Sequence, residues 1–201
     1  LGSGKSTVLR MLVELGAHGL SADEIGRELM EPGTEVFAAI VARFGDGVVC
    51  ADGRLNRPEL ARIAFGEGRV EELNAIVHPA TIARQGELAE AIFARDRDAV
   101  VVVESALIFE TLHGQGWRER FDRMILVTAS DELKIARFVA RTGSADREML
   151  EVEARRRLAR MIPDAVKAPR CDFAISNDGN LDELRRSVGL VWEKLATASA
   201  V

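Results

Sequence analysis

Three stretches of this chain are continuously apolar, rich in β-branched residues, and closed by a polar group. Ala99-Val100-Val101-Val102-Val103 ends at Glu104, Met124-Ile125-Leu126-Val127 ends at Thr128, and Phe173-Ala174-Ile175 ends at Ser176-Asn177-Asp178-Gly179. Runs of that kind predict strands buried on both faces. A shorter strand is predicted at Ala17-His18-Gly19-Leu20. Between these runs the apolar positions follow a helical period. Strands alternating with helices predict an α/β fold, a parallel sheet flanked by helices. Ligands of such sheets bind beyond the strand C-terminal ends. Asp23, Glu104, Thr128 and Asn177 are therefore expected on one rim.

Two long stretches interrupt this alternation. Residues 25–98 read as helical, with breaks predicted at Glu31-Pro32-Gly33, Gly45-Asp46-Gly47 and His78-Pro79. From Asp131 to about Arg160 the chain reads as helical and rich in arginine, with Arg137, Arg141, Arg147, Arg155, Arg156, Arg157 and Arg160. A closing amphipathic helix is predicted from Leu181 to Leu195.

Composition narrows the classes. The 201 residues are 47% hydrophobic and 29% charged, which fits one globular domain with lobes and argues against disorder. A net charge of −5 gives no overall pull toward nucleic acid or an anionic membrane. An anionic substrate must then be met by local clusters of Arg and Lys. No apolar run is long enough to span a bilayer. Cys50 and Cys171 have no metal-ligand spacing, and such sparse usage fits a reducing cytoplasmic setting.

The chemistry begins at the start of the chain. Gly2-Ser3-Gly4-Lys5-Ser6-Thr7 leads into the apolar positions Val8, Leu9, Met11 and Leu12. Gly4, Lys5 and Ser6 complete the P-loop pattern G-x-x-x-x-G-K-[ST]. Its glycines let backbone N–H groups turn toward a polyphosphate, and the following helix points its positive end at the same anion. Lys5 is placed to reach the β- and γ-phosphates of ATP, and the Ser6 hydroxyl to ligate Mg²⁺. The first glycine of the pattern falls two residues before Leu1. A complete chain is expected to carry a strand of about 5–6 residues and the loop's start there. A polypeptide beginning at Leu1 is expected to be poorly soluble and to bind ATP weakly.

Other candidates carry two readings each. Asp23 follows the predicted second strand, where a carboxylate can accept or orient an attacking hydroxyl, or cap a helix starting at Glu24. Arg27, one helical turn on, can grip a substrate phosphate or lie solvated. Glu104 can serve Mg²⁺ through a water, with Glu110 as a second candidate; either can instead be a cap or a structural ion pair. Arg137 and Arg141, four apart on one helix face, can close over a triphosphate as a lid, or form an exposed salt-bridged helix with Asp131 and Glu132. His78 before Pro79 reads as structural or as a helix-end cation.

Taken together, these separated motifs resemble the dephospho-coenzyme A kinase family. The resemblance rests on Gly2 to Thr7, Ser21-Ala22-Asp23, Arg27 with Glu31-Pro32-Gly33, Phe44-Gly45, Asn74 to His78-Pro79, Leu107 to Glu110, and Asp172 to Gly179. It implies a P-loop NTPase-type core over 1–24, 99–130 and 166–201, a helical coenzyme A domain over 25–98, and a helical lid over 131–165. It implies transfer of the ATP γ-phosphoryl group to the 3′-hydroxyl of dephospho-coenzyme A. Asp23 would act as base or orienter, Arg141 as the lid arginine, and Asn177 as part of an adenine pocket. Arg27, His78 and Glu110 join Asp23 as candidate substrate contacts. The chain departs from the family at Ser21, where an Asp is usual, at Ala106, where a Pro is usual, and near Arg160, where a Gln is usual. The competing readings are another small P-loop kinase acting on a nucleoside, nucleotide or similar alcohol, and a nucleotide-binding module without turnover. No Asn-Lys-x-Asp guanine motif is present.

Overall fold

The computed structural model describes residues 1–106, 108–109, 116–143 and 146–198. In chain order its elements are α1 (Lys5–Glu14), β1 (His18–Ser21), α2 (Ala22–Leu29), α3 (Glu35–Phe44), a 3₁₀ turn (Asp46–Val48), α4 (Arg57–Ala61), a π-turn (Arg62–Gly66) and α5 (Val70–Phe93). There follow β2 (Val101–Glu104), α6 (Trp117–Arg120), β3 (Ile125–Thr128), α7 (Asp131–Thr142), α8 (Arg147–Arg160), α9 (Asp164–Lys167), a 3₁₀ turn (Ala168–Arg170), β4 (Phe173–Ser176) and α10 (Leu181–Ala198). Each apolar run that predicted a strand forms one, with bounds shifted by up to two residues, but the expected burial on both faces is not seen: β2 is half-buried throughout, and in β3 and β4 only Val127 and Ile175 are buried. Glu104 ends β2, as its run predicts.

The chain divides into two compact units, 1–19 with 98–201, and 20–97. In the first, β3 and β4 run parallel, with Ile125 beside Phe173 and Thr128 beside Ser176. Asp172 fixes that register at one end, its Oδ2 accepting the Met124 N–H at 2.7 Å. At the other end the Asn177 N–H donates to the Thr128 carbonyl at 2.8 Å. Among the described residues the ladder bonds join strands in two pairs, β1 with β2 and β3 with β4. The His18 N–H donates to Val100 O at 2.8 Å.

One core gathers these strands and the helices over them. Val8, Met11 and Leu12 of α1 lie at helical spacing, as do Leu184, Val188 and Val191 of α10, and both stripes pack with Val127 and Ile175. Leu12, Ile175 and Val188 are fully buried. Asn180 starts α10 with a reciprocal cap: its Oδ1 accepts the Glu183 N–H at 3.0 Å, and Glu183 Oε2 accepts the Asn180 N–H at 3.2 Å. The arginine-rich segment is helical as expected and forms two helices, α7 and α8, which share a small apolar seam of Phe138, Leu150 and Ala154. Arg157 lies over the Phe138 ring, 5.4 Å from its centre.

The second unit has its own core of Val36, Ile40, Phe44, Val48, Leu55, Leu60 and Ile63. The expected breaks near Glu31-Pro32-Gly33 and Gly45-Asp46-Gly47 separate α2 from α3 and end α3. The break expected at His78-Pro79 does not occur, and α5 runs through it. A proline removes one helical donor, at a local cost that packing can outweigh. Here Leu73, Ile76, Val77 and Ala80 flank Pro79 on both sides and pack against the unit's core. Residues 25–98 are also not wholly helical, since Val49 and Leu55 form an antiparallel bridge.

Candidate functional site

The P-loop forms the turn into α1. Gly2 and Gly4 have φ of 63° and 93°, the left-handed region that side chains disfavour. Space forbids a side chain as well: a Cβ on Gly2 would strike the Lys134 backbone, and one on Gly4 the Asn177 amide. Gly4 is the N-cap of α1 and offers no side chain to the helix's first N–H groups, which is the arrangement an anion exploits. The Gly4 carbonyl turns away and takes the Thr7 and Val8 amides, each at 3.0 Å.

Ser6, in the first turn of α1, donates its hydroxyl to Glu104 Oε1 at 3.0 Å. Two positions proposed for Mg²⁺ are thus brought together. Donating the proton to Glu104 leaves the Ser6 oxygen lone pairs free for a cation. Among the described residues no group of three or more His, Cys, Asp or Glu side chains could hold a metal by itself. Hard oxygen donors in small number suit Mg²⁺, which keeps waters and takes substrate phosphate oxygens as ligands.

Asn177 is buried behind the loop, and its Nδ2 donates to the Ser3 carbonyl at 2.8 Å. Arg137, on α7, donates to the Asn177 carbonyl at 2.9 Å and, at 3.5 Å, to Asn177 Oδ1 and the Gly2 carbonyl. Arg137 is therefore neither an unattached lid arginine nor part of an exposed salt-bridged helix. α7 follows β3 directly, and its first turns sit against the P-loop, so Arg137 meets backbone carbonyls there without any ligand. Arg141, one turn later, is exposed and makes no hydrogen bond or ion pair among the described residues.

Other groups hold α7 in place, and sequence reading missed them. Asp178 accepts the Ser130 N–H at 2.6 Å and the Ser176 hydroxyl at 2.7 Å. These bonds hold its carboxyl below the usual aspartate value. Lys134 is buried and pairs with Asp164 at 2.7 Å and Asp131 at 3.1 Å. Burial opposes its charge, yet the hydrogen bonds to Asp164 and Asp131 outweigh that and raise its pKa. The Asp131/Lys134 spacing of three was the available signal; Asp164 lies too far along the chain to be inferred.

Asp23, Arg27 and His78 belong to the second unit. Asp23 and Arg27 are exposed on α2. Asp23 does not cap this helix. Ser21 does, its hydroxyl accepting the Glu24 N–H at 3.3 Å, and Asp23 stands free of that duty in the first turn. The Ser21 that replaces a usual Asp thus has a structural use of its own. His78 is half-buried within α5. Glu110 lies outside the described residues.

The family model for dephospho-CoA kinase matches residues 1–183. The chain belongs to the dephospho-CoA kinase family. A member from Streptomyces avermitilis is 40% identical over 196 residues, covering 97% of this chain and 90% of its own. One from Leifsonia xyli is 37% identical over 196 residues, 97% of this chain and 94% of its own. Among solved structures, TT1252 from Thermus thermophilus has a TM-score of 0.73 at 31% identity, covering 97% of this chain and 93% of its own. Dephospho-CoA kinase from Campylobacter jejuni has the same fold, with a TM-score of 0.69 at 23% identity, covering 98% of this chain and 94% of its own. The family's α/β fold with a P-loop is thus the fold of this chain. No helix among the described residues is long and apolar enough to cross a membrane.

Proposed function

We propose that this protein is a kinase that moves the γ-phosphoryl group of ATP to the 3′-hydroxyl of dephospho-coenzyme A, completing coenzyme A. The observation that carries the reading is the Ser6–Glu104 pair beside a left-handed glycine cradle, in a chain of this family. Phosphoryl transfer asks the protein mainly to align reactants and stabilise charge. The P-loop amides and the N-terminus of α1 receive the phosphates. Lys5 follows the charge that moves toward the leaving oxygen. Ser6 would hold Mg²⁺ through its hydroxyl oxygen and Glu104 would orient that hydroxyl; the ion, when bound, would supply charge neutralisation at the phosphates. Asp23, freed from capping, accepts or orients the proton of the attacking hydroxyl, and Arg27, His78 and Glu110 contact the substrate. Arg141 reaches the phosphates from α7, with 131–165 serving as the lid. ATP and dephospho-coenzyme A are the small-molecule partners, met in the cytoplasm.

The test is ADP formation by the purified protein with and without dephospho-coenzyme A. Release that depends on dephospho-coenzyme A, with product phosphorylated at the 3′ position, is the expected result. Equal release in both conditions, or preference for a nucleoside monophosphate, would replace this reading.

A further inference from the structure

Two consecutive peptide groups of the P-loop have their carbonyls held from behind. The Ser3 carbonyl, in a buried residue, accepts from Asn177 Nδ2 at 2.8 Å. The Gly2 carbonyl lies 3.5 Å from Arg137 Nη1. In a trans peptide the C=O and the following N–H point in opposite directions. Fixing the Ser3 carbonyl on Asn177 therefore turns the Gly4 N–H the other way, and fixing the Gly2 carbonyl on Arg137 does the same for the Ser3 N–H. We infer that Asn177 and Arg137 are positioning residues: they set the P-loop amides toward the phosphates before any nucleotide binds, acting through backbone carbonyls rather than by touching the base.

The two residues operate as one clamp. Arg137 Nη2 donates to the Asn177 carbonyl at 2.9 Å and lies 3.5 Å from its Oδ1. The Asn177 N–H is bonded to Thr128 O, so the residue is fixed to the end of β3. The Asn177 amide also fills the space where a Cβ on Gly4 would stand, so the glycine and the asparagine require one another. A flexible loop would have to order these peptides at each binding event, and preorganisation removes that cost. Asn177 is the key position because only an amide donates to Ser3 while its oxygen faces Arg137. An aspartate of the same shape has no donor and would set a carboxylate against the Ser3 carbonyl.

This inference rests on the reading of Gly2 to Ser6 as a phosphate cradle, and tripolyphosphate tests it without an acceptor or a base. Binding of inorganic tripolyphosphate and of adenosine is measured by calorimetry for the wild-type protein, Asn177→Leu, Asn177→Asp and Arg137→Gln. The expected result is a loss of tripolyphosphate affinity of at least about ten-fold in Asn177→Leu, which removes the hydrogen bond to a buried acceptor without adding a charge, and a larger loss in Asn177→Asp. Arg137→Gln should lose less, and adenosine binding should change little in any of these variants. Unchanged tripolyphosphate affinity with weakened adenosine binding would overturn the inference and place Asn177 in a base pocket. A wild-type protein that binds no tripolyphosphate would overturn it too. Failure of dephospho-coenzyme A to stimulate turnover would sink the proposed activity but leave the clamp standing. Should the Asn177 variants not fold, the wild-type Asn177 side-chain amide is followed by NMR. A resonance hydrogen-bonded before ligand and still bonded with tripolyphosphate supports the clamp; one that becomes bonded only on adding adenosine overturns it.

Discussion

The Ser6 hydroxyl and the Glu104 carboxylate meet at 3.0 Å although 98 positions separate them in sequence. One stands in the first turn after the P-loop, the other at the end of β2, and the fold brings both to the same edge. If Glu104 orients the Ser6 hydroxyl that would hold Mg²⁺, Glu104→Gln should raise the Mg²⁺ concentration needed for half-maximal turnover by about ten- to a hundred-fold, the usual effect of losing a partner outside the ligand set. ATP should still bind. A Mg²⁺ titration that superimposes on the wild-type curve would make Glu104 a structural partner of Ser6 and nothing more.

Lys5→Ala tests the cradle from its charged side. Lys5 begins α1, and the role proposed for it in phosphoryl transfer is electrostatic. Loss of such a group costs on the order of 10²-fold or more in kcat. Thermal stability should change little, because Val8, Met11 and Leu12 keep the α1 core contacts. Turnover within a few-fold of wild type would remove Lys5 from the mechanism.

Asp23 can now be separated from the helix cap. Ser21→Ala should cost about 1 kcal/mol of stability by removing the α2 N-cap. Asp23→Asn should leave melting nearly unchanged but depress kcat while nucleotide binding persists. A chain in which Asp23→Asn lowers stability as much as Ser21→Ala, with kcat intact, would return Asp23 to a structural role.

What the sequence displayed and what it concealed follow from range. The strands were legible because apolar, β-branched residues stand in unbroken runs such as Val100 to Val103, even though that run is only half-buried. The P-loop was legible because its glycines are required locally. Ser21 and Asp23 compete for one cap within three residues, and only geometry decides between them. The course of α5 through Pro79 depends on tertiary packing that overrides a local breaker. Asn177 was legible as a motif residue, but its bond to Ser3 spans 174 positions and leaves no periodic trace. The Lys134–Asp164 pair is hidden for the same reason: a lysine on an otherwise charged helix gives no sign that its ammonium is buried.

Acid should loosen the start of α7 through Asp178. The Ser176 hydroxyl and the Ser130 N–H hold this carboxyl below the ordinary 3.8 in the folded protein. A depressed carboxyl contributes stability that is present above its unfolded value and is lost as pH falls through its lower folded value. Asp178→Asn should therefore make the protein less stable at neutral pH, and its deficit should shrink as pH falls below about 4. Denaturant unfolding at neutral pH and in acid reads this directly. A deficit of the same size at both would mean that Asp178 acts by shape alone.

Arg137 and Arg141 share a helix face but differ in what holds them, and that difference divides the proposed lid. Arg137 is already bonded to the Asn177 carbonyl, and Lys134 and Asp178 fix the same end of α7. Arg141 is exposed near the other end, without a hydrogen bond or ion pair among the described residues. Charge-assisted bonds to ATP phosphates would give it one. Limited trypsin digestion should then cut after Arg141 more slowly when ATP and dephospho-coenzyme A are both present, as the lid closes over them. Cutting after Arg137 should be slow in both states, since that turn is tied to the core without ligand. Mass spectrometry of the first fragments distinguishes the two sites. Ligand protection equal at Arg137 and Arg141 would mean that α7 moves as one piece. No protection at Arg141 would remove it from the phosphate site.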